Sequence, residues 1–386
     1  MSPDSEELLS AVREAVAGVT KKWDRTYYMD CTRRGVAPTE MYETMAQQGL
    51  FALGVPEALG GAGGGLTATA AVMEEMSRAG TPPMLFSLTS FARQSIIRHG
   101  TPEQIRRLVE PTLTAQQSMC FAITEPDAGT NSFAMQTLAR RQDDGTYVLS
   151  GQKIFISGAD QATHIMIVAR TTPASEVAKK SEGISIFVLP RDTPGVSMTA
   201  MNIDWKAPER QFSVWFDNVV LPSDSLIGVE GKGLSSMFDS LNAERVVIAA
   251  WTLGLGYLAL NKAVSYARER SPWGAPIGSY QGVSHPLARA KAQLEAARAM
   301  NYRAAERFDR GEEAGDDANI AKYLASEASY AAVDAAIQTH GGSAFDEDSD
   351  VITLFPMIRI LRVAPLNNEM ILNYIANHML GLPRSY

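Results

Sequence analysis

Cysteine is nearly absent. Cys31 and Cys120 are the only two, far apart and without a metal-ligand spacing, which argues against a disulfide framework or zinc site and for two reduced structural thiols. Positive charge is in deficit as well. The 35 Lys and Arg face 43 Asp and Glu, a formal net charge of −8, and that balance disfavours nucleic acid or an anionic membrane as partner. No stretch supplies the ~20 continuous apolar residues that a membrane-spanning helix needs. The start, Met1 to Glu7, has neither a hydrophobic signal core nor an arginine-rich presequence, so the cytoplasm is the expected compartment. What is present is the composition of a globular protein, 45% hydrophobic and 20% charged, which excludes disorder. At 386 residues and roughly 150 residues per unit, two or three structural parts are expected.

Helical periodicity dominates the first part, over 38–49, 66–79 and 87–99. The glycine run Gly60 to Gly65 interrupts it. No strand leads into this run and no Gly-Lys-Ser/Thr follows, so it reads as a flexible connection and not a phosphate loop. Between about 118 and 222 the texture changes to short β-rich runs at 119–124, 147–150, 153–157, 164–169, 184–189 and 212–216, with Asp143-Asp144-Gly145 placed as a hairpin turn. After Gly231-Lys232-Gly233 the pattern is helical again, over 234–270, 280–310, 316–340 and 367–380. Helices this long pack along one another as a bundle.

Two neighbouring motifs carry the chemistry. Phe121 to Asn131 reads as a strand ending in a turn with Pro126 and Gly129, which leaves backbone amides and the Thr124 hydroxyl free to meet the edge of a flat ligand. Gly151-Gln152-Lys153-Ile154-Phe155-Ile156-Ser157-Gly158 follows, and strand alternation is expected to put Phe155 and Ser157 on one face, an aromatic wall beside a hydroxyl donor. Further on, Met237, Leu241, Ile248 and Leu255 form a helical apolar stripe that includes Glu244. A carboxylate among apolar neighbours is costly to bury and has a raised pKa, as suits a group that takes a proton near neutral pH.

Over nearly its whole length the chain resembles the FAD-dependent acyl-CoA dehydrogenases. The carriers are the Thr124-Glu125-Pro126-Asp127-Ala128-Gly129-Thr130 segment, the 151–158 strand, the Phe216-Asp217-Asn218-Val219-Val220-Leu221-Pro222 exit, the Glu244-Arg245 pair, the Arg268 to Gly274 stretch with Gln281, and Gln338-Thr339-His340-Gly341-Gly342. The resemblance implies an α+β fold: an N-terminal helical domain (1–115), a β-barrel-like middle domain (116–225) and a C-terminal four-helix bundle (226–386). It implies that Phe121, Ile123, Thr124, Phe155 and Ser157 contact FAD, and that Gly129 and Thr130 lie near its phosphates, Thr130 also near the acyl-CoA chain. Arg270, Trp273, Gln281, Gln338, Gly341 and Gly342 would reach the FAD of a neighbouring subunit, so a homodimer or dimer of dimers is expected. Asn367 and Glu369 are placed at the cofactor as well, Leu241, Asn242 and Arg245 at acyl-CoA. An electron-transfer flavoprotein is the expected electron acceptor.

The resemblance departs at one position. Family members commonly carry the catalytic glutamate where this chain has Pro365, and proline has neither a carboxylate nor a backbone N–H to offer a thioester carbonyl. A branch of the family carries its base in a Glu-Arg pair on the long helix, which Glu244-Arg245 matches, so Glu244 is the expected base for oxidation of an acyl-CoA to the 2,3-enoyl-CoA. Two rivals keep the fold and change the role: a flavin monooxygenase-type enzyme, or a non-catalytic FAD-binding subunit of a hetero-oligomer.

Overall fold

Apolar residues at helical spacing become helices wherever a partner surface covers them, and the two ends of the chain do this together. The computed structural model describes residues 3–384. The helices are α1 (Pro3–Thr20), α2 (Arg25–Arg34), α3 (Thr39–Gln47), α4 (Gly65–Arg78), α5 (Met84–His99), α6 (Pro102–Leu108), α7 (Gly233–Glu269), α8 (Gln281–Asp309), α9 (Gly315–His340), α10 (Leu354–Ile360) and α11 (Asn368–Tyr374). The strands are β1 (Met119–Ala122), β2 (Leu138–Arg141), β3 (Tyr147–Ser157), β4 (His164–Arg170), β5 (Ile184–Pro190), β6 (Val196–Ala200), β7 (Gln211–Leu221) and β8 (Leu226–Ile227). They divide into two compact units: one takes in the chain up to Met29, Gly64–Pro83 and the chain from Asn242 onward, the other Asp30–Gly63 and Met84–Leu241.

The helical unit contains α1, α4, α8, α9, α10, α11 and all of α7 beyond its first turns. Asp309, at the end of α8, caps α4: its carboxylate accepts from Leu66 N at 2.6 Å, Thr67 N at 2.9 Å and the Thr67 hydroxyl at 2.7 Å, satisfying donors that a helix N-terminus leaves orphaned. Within the bundle the fully buried Glu74 of α4 takes Arg298 of α8 at 2.7 Å and Arg78 at 2.8 Å. Ser240–Glu269 of α7 contains an 18-residue window apolar enough to pass for a membrane span, but 83% of that window is buried in the fold. It is a core helix.

The sheet unit has the order β6-β7-β3-β2-β4-β5-β8, with β1 parallel to β4. The turn around Asp143-Asp144-Gly145 joins β2 to β3 antiparallel, with Asp144 accepting from Thr146 N at 2.9 Å. Its first strand, along with β6 and β8, is absent from the sequence reading. All three are short, and β6 is largely exposed, so neither length nor alternation marks them. The runs 147–150 and 153–157 are one strand, interrupted in register against β7. The α5 helix seats β1 through Phe91 on Phe121, 5.5 Å between ring centres, and through Met119 N donating to Thr89 at 2.9 Å.

The glycine run is a connection, as read from the sequence, but a tightly packed one and not the flexible one expected. A Cβ on Gly61 would stand 2.1 Å from the Val55 carbonyl oxygen, and Gly64 takes φ 75° before α4. Gly61→Ala is expected to cost about 1–3 kcal/mol by overpacking, read as a lower midpoint in urea unfolding.

Candidate active site

On the sheet unit, the turn after β1 is held from beneath. Lys153, fully buried on β3, donates to the Ile123 carbonyl at 2.8 Å and to Glu125 at 2.9 Å. Glu125 also accepts from Gln136 N at 2.6 Å and Thr137 N at 3.0 Å. Burial pushes the Glu125 carboxyl up, but Lys153 and these donors outweigh it and hold the carboxyl below its ordinary value. Lys153 is pushed down to about 8 by burial, against the pull of Glu125. Reciprocal bonds between Glu125 and Ala128 (3.2 and 3.1 Å) close the turn, and Ile154 N donates to the Thr124 carbonyl at 2.9 Å. Gly129 and Thr130 are left exposed, with Phe121, Ile123 and Thr124 half-buried. Lys153 and Glu125 lie inside the motifs read from sequence, yet that reading gave them no task. A lysine on the buried face of a strand, a site that needs a partner charge, is the signal that was there.

Phe155 and Ser157 correct the alternation argument. The register against β7 shifts between Lys153 and Ile156, and Phe155 has φ +58°. This left-handed conformation, rare for a bulky residue, belongs to a bulge that re-aims its side chain. Phe155 is consequently 52% exposed. Ser157 is bracketed by the Gln211 amide, whose Nε2 donates to Oγ at 2.8 Å while Oγ donates to Oε1 at 3.0 Å. The sequence reading missed Gln211, which lies in no motif.

On the helical unit, Glu244 is 8% exposed. Burial pushes its carboxyl up to about 7, opposed by Arg245, and no hydrogen bond from a described residue holds it. Arg245 donates to Asn242 at 2.6 Å, and burial lowers it, with Glu244 and Tyr374 opposing. A second buried carboxyl, Glu209 in the sheet unit, is also pushed up to about 7 by burial. It differs in being fully enclosed and engaged by the Tyr42 hydroxyl.

The other residues named from sequence sit at the surface. Arg270, Gln281, Gln338, Gly341, Gly342 and Glu369 are exposed, and Trp273 is 77% exposed. Leu241 and Asn242 are half-buried. Gly341 has φ +59° and ψ −136°, which only glycine adopts readily, and a Cβ on Gly341 or Gly342 would meet nothing within 4 Å, so bare backbone faces outward there. Asn367 is occupied otherwise: its side chain caps α11, accepting from Met370 N at 2.8 Å. His340 is structural, its Nδ1 2.8 Å from the Ala336 carbonyl and its ring stacked on Tyr266. Pro365 is exposed.

The sheet unit thus carries an outturned aromatic and a bracketed hydroxyl on β3, and the helical unit, taken by itself, carries a buried acid and open glycine backbone. Sequence profiles of the acyl-CoA dehydrogenase N-terminal, middle and C-terminal domains match residues 2–116, 120–214 and 231–380. The chain belongs to the acyl-CoA dehydrogenase family. It is 40% identical over 387 residues to the acyl-CoA dehydrogenase FadE12 of Mycobacterium tuberculosis, covering 99% of this chain and 98% of that one. Among solved structures it is similar to the butyryl-CoA dehydrogenase of Megasphaera elsdenii, with TM-score 0.91, 27% identity and 98% and 99% of the two chains covered. It is similar also to the FAD complex of PigA, with TM-score 0.89, 27% identity and 99% and 98% covered. The cofactor is FAD and the reaction is oxidation of acyl-CoA.

Two outcomes follow for the buried carboxyls. Lys153→Met, which strands Glu125 as an unpaired buried charge, is expected to cost about 3–5 kcal/mol of unfolding free energy. For Glu244 the folded value of about 7 lies above the unfolded ~4.3. The native state therefore holds the extra proton between those values, and stability falls as pH rises through the window. Glu244→Gln is expected to be more stable than the parent above pH 7, by on the order of 3 kcal/mol, with the difference vanishing toward pH 4; urea unfolding across this range measures it.

Proposed function

We propose that Glu244 is the base that removes the α-proton of a bound acyl-CoA, taking over the task of the carboxylate that Pro365 replaces. The single observation that carries this is a buried carboxyl on α7 that accepts no hydrogen bond from a described residue and is pushed up to about 7 by burial. Such an acid is largely ionised just above pH 7 and is matched in basicity to proton transfer there. Arg245 limits how far burial raises it and, with Asn242, Leu241 and Thr130, would bind the CoA thioester.

The residues present fit a flavin. Phe121, Ile123, Thr124, Phe155 and Ser157 would line its ring, and Gly129 and Thr130 its phosphate side. Bound FAD supplies a two-electron sink for the hydride equivalent that leaves the β-carbon. Ser157 must give up its donor bond to Gln211 to present that hydrogen to a ligand, while the Gln211 amide keeps the hydroxyl aimed. Arg270, Trp273 and Gln281, with Gln338, Gly341 and Gly342, would serve the cofactor of a neighbouring subunit. Their exposure supports this: an indole and a glycine backbone turned outward are suited to being covered. Asn367 and Glu369 complete that list, Asn367 through its backbone since its side chain is engaged. A homodimer or dimer of dimers in the cytoplasm, passing electrons to an electron-transfer flavoprotein, is the accompanying reading. Acyl chain length is left to the assay below.

The test is anaerobic bleaching of the FAD-loaded protein by a panel of acyl-CoAs. Bleaching by the unaccompanied chain, without oxygen, is expected and would dismiss both the monooxygenase and the silent-subunit alternatives. The rate should rise through pH 7, and Glu244→Gln should slow it by about 10²–10⁴-fold. Rapid bleaching in that variant would remove Glu244 from the role.

A further inference from the structure

Glu209, in the connection between β6 and β7 and two residues before Gln211, is fully buried in the sheet unit. A carboxyl is seldom enclosed in this way without a partner or a task. The Tyr42 hydroxyl of α3 donates to its Oε1 and accepts in turn from Leu85 N, in the first turn of α5, at 3.2 Å. Its Oε2 has no hydrogen-bond partner among the described residues. Burial pushes the carboxyl up to about 7, opposed by the Tyr42 hydroxyl and the amides of Glu209 and Leu85, with Asp160 adding to the rise. The arrangement suits the neutral acid: one oxygen accepts as a carbonyl does, and the proton belongs on the oxygen that accepts nothing.

The backbone around Glu209 is joined to the end of β3 and the turn after it. Gln161 Nε2 donates to the Pro208 carbonyl at 3.0 Å, Gly158 N donates to the Arg210 carbonyl at 2.8 Å, and Arg210 pairs with Asp160 at 2.8 Å. Gln211 then brackets the Ser157 hydroxyl at 2.8 and 3.0 Å. Glu209 packs closely behind this seam: Gly158 has φ +62°, and a Cβ there would stand 3.4 Å from Glu209 Cβ and Cγ and 3.0 Å from Leu85 Cδ2. Pro208, Arg210 and Gln211 are thus held by residues 157–161, while the Glu209 carboxyl ties the same stretch to Tyr42 of α3.

We propose that Glu209 is a positioning residue for the flavin site: fastened to Tyr42, it fixes the start of β7 so that Gln211 keeps the Ser157 hydroxyl aimed. This rests on the reading that puts Ser157 at the FAD ring. Glu209 and Tyr42 act through Gln211 and need no contact with the cofactor. A hydroxyl at a reacting site needs such support, because a misplacement of about 1 Å there costs roughly 10²-fold in rate.

The visible absorption spectrum of the FAD-loaded protein tests the link, recorded at about pH 6, below the Glu209 value of about 7. Ser157→Ala is expected to shift the flavin bands, because the ring loses a hydroxyl at its edge. Tyr42→Phe and Glu209→Leu, which break the fastening from its two ends, are expected to shift the bands in the same direction and to slow anaerobic bleaching, against the parent at the same pH, by about 10–100-fold. Glu209→Gln keeps the accepting oxygen and is expected to restore the parent spectrum. Loss of packing alone would lower the urea midpoint of Tyr42→Phe and leave its bands in place. Parent bands in folded Tyr42→Phe overturn the proposal, as do bands displaced as far in Glu209→Gln as in Tyr42→Phe, a comparison that holds even where Glu209→Leu fails to fold. Failure of the underlying reading is seen separately: unmoved bands in Ser157→Ala take Ser157 away from the flavin, and the proposal falls with it.

Discussion

The ion pair between Lys153 and Glu125 is the constraint on which the turn after β1 depends. It ties the middle of β3 to the turn after β1, and through Gln136 N and Thr137 N to the approach of β2. Neither charge could be kept in that interior alone. With both present, the turn has its inner face occupied by fixed donors, and Gly129 and Thr130 stay exposed on the other. The next residues of β3 then leave regular geometry at Phe155, so a rigid strand and an outturned aromatic are produced side by side by the same stretch of chain.

Two glutamates are handled in opposite ways. Glu125 receives a cation and two amide donors and is held below its ordinary acidity range; Glu244 receives burial and one arginine and is lifted toward neutrality. The side chain is the same and the environments sort the roles, one a permanent anion that builds structure, the other an acid able to change state. The proposed base role falls to the second of them, in a chain that has Pro365 where the family commonly carries its glutamate.

Much of this was legible from residue order. The long helices are found within a few residues of where periodicity puts them, because amphipathic stripes over several turns leave little alternative. Glu244 could be picked out because a charge in an apolar stripe is conspicuous. Phe155 could not be placed, since nothing in Lys-Ile-Phe-Ile-Ser signals a left-handed residue and the period-2 rule silently assumes none. Lys322 escaped for a related reason: on a helix rich in alanine it reads as a solvated charge, and only the partner 46 residues away, Asn368, reveals that it is inside. The short strands β2, β6 and β8 owe their existence to neighbours in the sheet and not to their own composition.

The Asp309 cap on α4 bears on how the chain is made. Asp309 and Thr67 lie 242 residues apart, so a ribosome releasing the chain from its start exposes the first turn of α4 long before its cap has been translated. The sheet unit draws on nothing later than Leu241 and is complete by then. Synthesis thus yields a finished sheet unit while α1 and α4 still wait for their partners, and the apolar faces of those two early helices are what a chaperone would need to shield in the interval.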